Sequence, residues 1–434
     1  MLGQGAVLGV LEQAMRAALT SAGARLLEAV LAGQDGYCGP HAGCPDGHQA
    51  VYAGVRDKTV TTVLGPLTLR RAWYHCGRCG HGFAPRDQQL GVAGMSLSPG
   101  LAEMIAQAGA EVSFARAAGL INGLAGITVS AKTTERSAEA SGAAARAAAE
   151  AEAAAIRART IVPLPPPQPV PDMLYVEVDG TGVPMRASQT EGRPGKADDG
   201  KARTREVKLA RLFTVSRLDD HGRPVMDPGS STYLATFDGK DALARLVEAE
   251  YLRRGGDHHR QVVALGDGAA WIWAMAGDLY PHATHIVDIY HAREHLHDLA
   301  AHLAFITPDP QHWLAGRLEE LDAGNIQAII DASRRYPLEG VKAEELDKKL
   351  GYFEHNIPRM RYRDFKDRGM FTGSGHIEAA CKQIVVQRAK QSGMHWTVQG
   401  AASIITLRCQ HASGRWDDFV APRPATTAGL RAVI

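Results

Sequence analysis

Net charge is the first thing this chain lacks. Over 434 residues, 48 Lys+Arg stand against 47 Asp+Glu, a formal charge of +1. That balance excludes nucleic-acid binding through global charge, so any such partner has to be served by local patches. Long apolar runs are missing as well. No stretch of about 18 uninterrupted apolar residues occurs, and no membrane span is expected. No basic stretch followed by an apolar run stands at the N-terminus. Leu8 to Leu31 is broken by Glu12, Arg16, Arg25 and Glu28, which predicts an amphipathic helix rather than a signal peptide. Six cysteines are too few for a disulfide scaffold in so long a chain, and four of them cluster, which points to a reducing compartment and a metal site. No internal repeat is present.

The length predicts two or three domains. Residues 1–35 read as a helix. Residues 36–90 change to cysteine, glycine and β-branched alternation, with two or three short strands and a turn at Gly65-Pro66. Residues 99–160 are Ala-rich and helical, and Ala143–Ala155, bearing Arg146, Glu150 and Glu152, predicts a long solvated helix. The proline-rich segment 162–171 predicts an extended spacer and a domain boundary. Beyond it, strands are expected at Leu174–Val178, Glu206–Ser216, Thr232–Phe237, Gln261–Gly266 and Thr284–Tyr290. Helices are expected at Ala242–Arg254, from Ala269 and from Ala292. This β-β-β-α-β-α-β-α order is that of an α/β, ribonuclease-H-like core, laid over 172–297 and 371–412, with a helical insertion at 298–370.

Three acidic residues carry the chemistry. Asp179 and Asp267 each end an apolar alternating run and are each followed by glycine, in LYVEVDGTGV and QVVALGDGAAWIW. Glu378 lies early in a predicted helix, GSGHIEAACKQIVVQRAKQ. A strand-end carboxylate emerges where the sheet stops, and the glycine lets backbone or phosphate approach. Two such carboxylates on neighbouring strands, met by a third from a packed helix, form a hard-oxygen site for two Mg²⁺ (or Mn²⁺) ions and phosphodiester chemistry. An isolated Asp-Gly after a strand is otherwise an ordinary turn. Asp288 and His291, in DIYH at the end of the fifth predicted strand, are auxiliary candidates, with helix capping as the alternative for His291. His295 and His297 are expected to be surface or structural residues.

Basic residues frame Glu378. Arg359, Arg361, Arg363, Lys366 and Arg368 precede it, and Lys382, Arg388 and Lys390 follow it. They suit the phosphates of a strand led into the site, or else a solvated helix face. The Gly-containing stretch Arg186 to Arg211 reads as a hairpin tip able to clamp DNA, or as a solvated loop. Trp396 either stacks on a base or fills the core. Cys38, Cys44, Cys76 and Cys79 bracket the N-terminal strands as two knuckles of a zinc ribbon, with His41 and His48 competing as ligands. Cys381 and Cys409 are expected to be buried packing residues. SFARAAGLINGLAGITVSAKTTERSAEA reads as a helix, a glycine turn and a second helix capped near Thr128 or Ser130. Its second helix would present Lys132, Thr133 and Arg136 to DNA, or belong to an ordinary helical hairpin.

Taken in order, TVLGPLTLRRAWYHCGRCGHGFAPRD, YVEVDGTGVP, GDGAAWIW, DIYH and GSGHIEAACKQIVVQRAK with Trp396 resemble bacterial insertion-sequence transposases of the ISKra group, DDE enzymes related to the mutator type. The resemblance covers most of the chain. It implies a ribonuclease-H-like core with a helical insertion, the triad Asp179, Asp267 and Glu378, and Mg²⁺-dependent cleavage and strand transfer at terminal inverted repeats. It also implies a zinc-binding N-terminal region, a homodimer or larger assembly on double-stranded DNA, and a place at the bacterial nucleoid in the cytoplasm. The spacing Cys38-x5-Cys44 departs from the closer pair usual in that group. A nuclease without strand transfer and a non-catalytic DNA-binding derivative are the rival functions.

Overall fold

The structure, a computed structural model, describes residues 5–166, 168–195, 197, 199–417 and 430–432. The chain forms two compact units, residues 1–141 and 142–434. The division falls inside a helix, not at the proline-rich segment 162–171.

In the first unit a long helix, α1 (Gly5–Ala32), precedes four antiparallel strands in the order β1 (His41–Gly43), β2 (Gln49–Thr62), β3 (Gly65–His75) and β4 (Gly82–Phe83). The β2–β3 ladder closes at the pair Thr62–Gly65, so the turn is Val63-Leu64 and Gly65-Pro66 opens the next strand. Leu27 and Leu31 of α1 pack on Val60, Leu67, Leu69 and Val92. A second small core holds Cys44, Ala50, Ala72, Tyr74 and Cys76. Asp87, in the short helix α2 (Pro85–Gln89), is buried between Lys58 at 3.1 Å and Arg71 at 2.5 Å. Helices α3 (Pro99–Glu111) and α4 (Phe114–Leu120) follow, and a π-turn over Ile121–Ala125 leads to α5 (Ala131–Arg157). Ser130 Oγ caps α5 by accepting the Thr133 N–H at 3.0 Å, so the helix–turn–helix order stands as expected and Ser130 is the cap.

The Ala-rich part of α5 is not a solvated helix. In the second unit its Ala145, Ala153 and Ile156 are buried, and Ala153 and Ile156 pack on Ala249. A Cβ on Gly142 would stand 2.2 Å from the Ser403 carbonyl oxygen, so glycine is what permits this close crossing. Alanine reads as solvent-tolerant in sequence, but a face of small side chains equally suits a close helix contact. The proline-rich segment begins in pairing rather than as a free spacer. β5 (Ile161–Pro163) is antiparallel to Leu430–Ala432, and Pro167 lies outside the described residues.

The second unit is built on a six-stranded sheet. Its strands are β6 (Met173–Pro184), β7 (Thr204–Leu218), β8 (Pro224–Met226), β9 (Thr232–Thr236), β10 (Gln261–Gly266) and β11 (Thr284–Val287). The order is β11-β10-β6-β7-β8, with β9 also on β7. β10 runs parallel to both β6 and β11, and β6–β7, β7–β8 and β7–β9 are antiparallel. Helices α6 (Lys240–Arg253), α7 (Ala270–Leu279) and α8 (Ile289–Leu303) alternate with the later strands. The predicted order is present with three differences: β6 runs on past Val178 to Pro184, so Asp179 is not a strand end; β8 is an extra strand; and β11 stops at Val287 rather than reaching Tyr290. Asp288 turns the chain at once into α8 by accepting the Tyr290 N–H at 2.8 Å.

The region of the predicted insertion forms α9 (Pro310–Ala323), α10 (Ile326–Arg334), α11 (Val341–Asn356) and α12 (Tyr362–Asp367). These helices share the sheet's core through Trp313, Leu321, Ile329, Leu350, Phe353 and Phe365. α13 (Gly375–Ala380) runs on through a π-segment, Cys381–Val386, into α14 (Gln387–Ala389), and α15 (Val398–Ala412) is buried from Gly400 to Cys409. Among the described residues no helix is long and apolar enough to cross a membrane.

Candidate active site and metal centres

Register places the acids. Leu265 of β10 is level with Glu177 of β6, so two residues on Asp267 stands level with Asp179. Gly266 is level with Val287 of β11, which puts Asp288 beside Asp267. Asp267 and Asp288 thus follow the C-terminal ends of β10 and β11, where side chains escape the sheet and meet ligands in open α/β folds, whereas Asp179 lies inside β6, past the end of its pairing with β10 and still paired with β7. Glu378 arrives from α13. Ser374 ties it in, its hydroxyl directed at the Asp288 carboxylate and lying 3.4 Å from Glu378 Oε1. Among the described residues the acidic group whose ligand atoms all lie within 4.8 Å of one another is Asp288, His291 and Glu378; Asp179 and Asp267, expected to share ions with Glu378, are not in it.

Each acid has its own setting. Asp179 is half-buried, accepts its neighbour Gly180's N–H at 2.6 Å, and accepts a hydrogen bond from the Cys381 thiol. Asp267 accepts the Ala269 N–H at 2.8 Å, and the Tyr352 hydroxyl donates to its carbonyl at 3.1 Å. Asp288 is fully buried. Burial opposes its ionisation, yet His291, Ser374 and the Tyr290 N–H hold its carboxyl below the ordinary range. His291, 3.1 Å from Asp288, sits on the first turn of α8 and not at a strand end. Its hydrogen bond to Asp288 raises it to about 9, with Asp267 adding to the effect. Glu378 is pushed above the usual carboxylate range by burial first and then by the charges of Asp288 and Asp179.

Beneath these acids lies a carboxylate that sequence patterning hid. Glu177 is fully buried, two residues before Asp179. Neither of its oxygens accepts a hydrogen bond. Arg211 Nη1 stands at 3.7 Å and His376 Nδ1 at 3.8 Å, charge contacts rather than hydrogen bonds. Burial lifts its pKa, against the pull of His376 and Arg211. Since His376 lies two residues before Glu378, the Glu177–His376 pair links the strand of the first acid to the helix of the last.

The basic frame divides. Lys390 reaches the site, donating to Thr181 Oγ1 at 2.6 Å, two residues beyond Asp179. Lys382 is exposed on the π-segment. Arg361 and Arg363 are exposed but matched within their own helix turn by Asp364 at 3.8 Å and Asp367 at 3.3 Å. Arg388 is a correction: it is fully buried over the Trp396 ring at 4.9 Å and has no surface with which to meet DNA. Trp396 is a core residue, not a stacking platform, and its indole donates to the Ala389 carbonyl at 3.0 Å. Arg211, at the end of the stretch read as a clamp, is buried against Glu177. The tip itself turns between Pro194 and Lys201, with Lys196 and Asp198 outside the described residues. His295 stacks on Tyr352 at 3.6 Å, a structural role as expected. In the first unit Lys132 and Arg136 are exposed on α5, Lys132 paired with Glu135 at 2.8 Å.

The cysteine site also differs from expectation. Cys44, His48, Cys76 and Cys79 bring one donor atom each within 4.8 Å of one another, and Cys38 and His41 are not among them. Cys38 is exposed, its thiol directed at the Gly36 carbonyl at 3.3 Å. Two similar turns build the group. The Gly47 N–H donates to the Cys44 carbonyl at 2.9 Å, and the Gly80 N–H to the Cys76 carbonyl at 2.8 Å, each glycine at positive φ. Sulfur–sulfur and sulfur–nitrogen separations of 3.4 Å for Cys44–Cys79 and 3.9 Å for Cys76–His48 approximate the edges of a tetrahedron with bonds of about 2.0–2.3 Å. The Cys79 backbone N–H leads the effects that draw the Cys76 thiol down to about 6.

Ser374, Tyr352 and the Cys381 thiol had no sequence signal, since each reaches its acid through tertiary packing. Glu177 had one: a charged residue inside an otherwise apolar strand run is costly unless it is used.

The chain belongs to the uncharacterised protein family UPF0236, which matches residues 2–418. No curated protein matches it.

Proposed function

We propose that this chain is a DDE transposase that cuts and rejoins DNA at insertion-sequence ends, similar to the ISKra group. One observation carries the reading: Asp267 and Asp288 follow the ends of two neighbouring parallel strands, Asp179 stands level with Asp267 within the third, and Ser374 bridges Asp288 to Glu378. A sheet with its first strand central, its second and third antiparallel to it and its last two parallel supports a ribonuclease-H-like core. Both Asp288 oxygens already accept hydrogen bonds, so Asp288 serves best as the bracket that fixes Ser374 and His291. Asp179, Asp267 and Glu378 are then the side chains that would hold divalent ions. Bound there, Mg²⁺ or Mn²⁺ would activate the attacking oxygen and stabilise the leaving one. Lys390 offers positive charge to a phosphate beside Asp179, and His291 adds a second cation at the rim. Cys44, His48, Cys76 and Cys79 suit Zn²⁺ as a structural ion in the end-finding region. The DNA substrate places the work at the bacterial nucleoid.

The test uses the purified chain, Mg²⁺ or Mn²⁺, and duplex DNA carrying the inverted repeats that flank its gene. Asp179→Asn, Asp267→Asn and Glu378→Gln should each abolish cleavage and leave end binding intact. Pre-cleaved ends offered to target DNA should be joined; cleavage without joining makes the protein a nuclease. A folded chain that binds ends and never nicks them with either metal is a non-catalytic DNA-binding protein, and the proposal fails.

A further inference from the structure

One exposed aromatic ring stands beside the acids. Tyr290, on the first turn of α8, is 54% exposed, although Ile289 and Ala292 of the same turn are buried. Its backbone is held, because the Tyr290 N–H donates to Asp288 Oδ1. One edge of its ring rests on the chain. A Cβ on Gly373 would stand 2.7 Å from that edge and 3.8 Å from Asp288 Oδ1, so the missing side chain lets the ring lie against the segment that leads into Ser374 and Glu378. Among the described residues two other aromatic rings are comparably exposed, Tyr37 and Phe305. Each already has a partner: Tyr37 meets Tyr52 edge-on at 4.9 Å, and Lys342 lies over Phe305 at 3.6 Å. For Tyr290 the partner is Arg293 at 5.9 Å, the outer limit of such a contact, and Asp322 already holds that guanidinium at 2.7 and 2.8 Å. The ring is therefore free to take a partner from outside.

The layout of the site says which partner. Across the strand ends the order is β11, β10, β6. Tyr290 belongs to the β11 side of the acids, and Lys390 with Thr181 to the β6 side, two strand spacings or about 10 Å away. A phosphate drawn to the acids and Lys390 carries its strand across that distance, which brings the base of a nearby nucleotide to the ring. Every base has a flat π-face, so an aromatic side chain can stack on any of them. We infer that Tyr290 is a stacking platform for one unpaired nucleobase beside the reacting phosphate. The base has to be unpaired, because inside a duplex both of its faces are covered by neighbours. The inference rests on the DNA chemistry proposed above and adds to it that the duplex end opens next to the acids.

The test couples base to ring. The full chain is bound to duplex ends carrying the flanking inverted repeats, with Ca²⁺ in place of Mg²⁺ so that binding is read without cleavage. Each nucleotide near the terminus is left unpaired in turn by a mismatch, with its base either present or removed. Wild type should bind roughly tenfold more weakly when the base is missing at one position. Tyr290→Ala should bind the intact end more weakly by the same factor and be indifferent to that base. Tyr290→Phe should restore the wild-type pattern, and Tyr290→Leu should not. The series on wild type alters only the DNA, so it does not depend on any variant folding. Wild type that ignores the missing base at every position, Tyr290→Ala as sensitive to it as wild type, or Tyr290→Leu as good as Tyr290→Phe would each overturn the platform. Cleavage in Mg²⁺ is scored separately on the same ends. A chain that cuts them without the base–ring coupling loses the platform alone, and a chain that neither binds nor cuts them overturns the transposase reading as well.

Discussion

The exchange of Cys38 for His48 in the metal group can be decided by two substitutions with opposite outcomes. Cys38→Ser changes an exposed thiol whose backbone N–H, not its sulfur, makes the tertiary bond, to the Tyr74 hydroxyl at 2.7 Å. It should keep metal and cost little. His48→Ala removes one donor of four. The magnitude follows from how little else holds that end of the unit. Its core is Tyr74, Ala50, Ala72 and two thiols, and burying those side chains contributes on the order of 5 kcal/mol. A structural zinc site of this kind supplies ~10 kcal/mol or more. An ion bound there would therefore outweigh the core, and loss of one ligand should both empty the site and loosen the strands β1 to β4. Elemental analysis after gel filtration should give one zinc per chain for wild type and Cys38→Ser, and close to none for His48→Ala or Cys76→Ser. The Co²⁺-substituted protein should show the absorption of a three-thiolate, one-imidazole site. If Cys38→Ser loses the metal and His48→Ala retains it, the four-cysteine set read from the spacing is correct and the folded geometry argued here is wrong.

Much of the second unit was legible because strand alternation is a strong local signal. Gln261–Gly266 has the boundaries that its apolar run predicts, and Asp179 and Asp267 stand where the alternation turns polar. Sequence could not show that this strand stops three residues early, at Val287, and that Asp288 caps α8, since Asp-Ile-Tyr-His suits both states. Nor could charge patterning show which way a side chain faces. Arg388 and Lys390 are two residues apart on one basic helix, yet the π-segment before them helps carry one into the core and the other to Thr181. The metal group was half legible. Cys76-x2-Cys79 makes a tight turn by spacing alone, whereas the first knuckle depends on the turn Cys44-Pro-Asp-Gly-His48 folding back on itself. Prolines misled in the opposite sense: the segment beginning at Val162 enters a strand pairing, and the division between compact units depends instead on packing within an alanine-rich helix.

Two further predictions test buried charge. Arg388→Ala should destabilise the second unit by about 3 kcal/mol in urea denaturation, through loss of a packed guanidinium over Trp396, rather than weaken DNA binding in a fully folded protein. A stable Arg388→Ala chain with a selective binding defect would return this residue to the interface. Glu250 carries the pH dependence. It is 3% exposed and sits among Arg415 at 2.8 Å, Arg254 at 2.8 Å and Arg253 at 3.7 Å. Burial alone would raise its carboxyl, but the arginines, Arg415 foremost, pull it down to about 2 from 4.5. A depressed folded-state pKa contributes stability that is fully present above the unfolded value and is lost as pH falls. The window is therefore pH 4.5 down to about 2. A shift of that size corresponds to ~3 kcal/mol. Glu250→Gln should be less stable at neutral pH, because it removes the carboxylate that Arg254 and Arg415 face while Arg253 keeps Glu152, and its stability should fall less steeply than wild type through that window. Parallel slopes for the two proteins would mean that the arginines do not hold Glu250 ionised, and the acid sensitivity would then belong to other carboxylates.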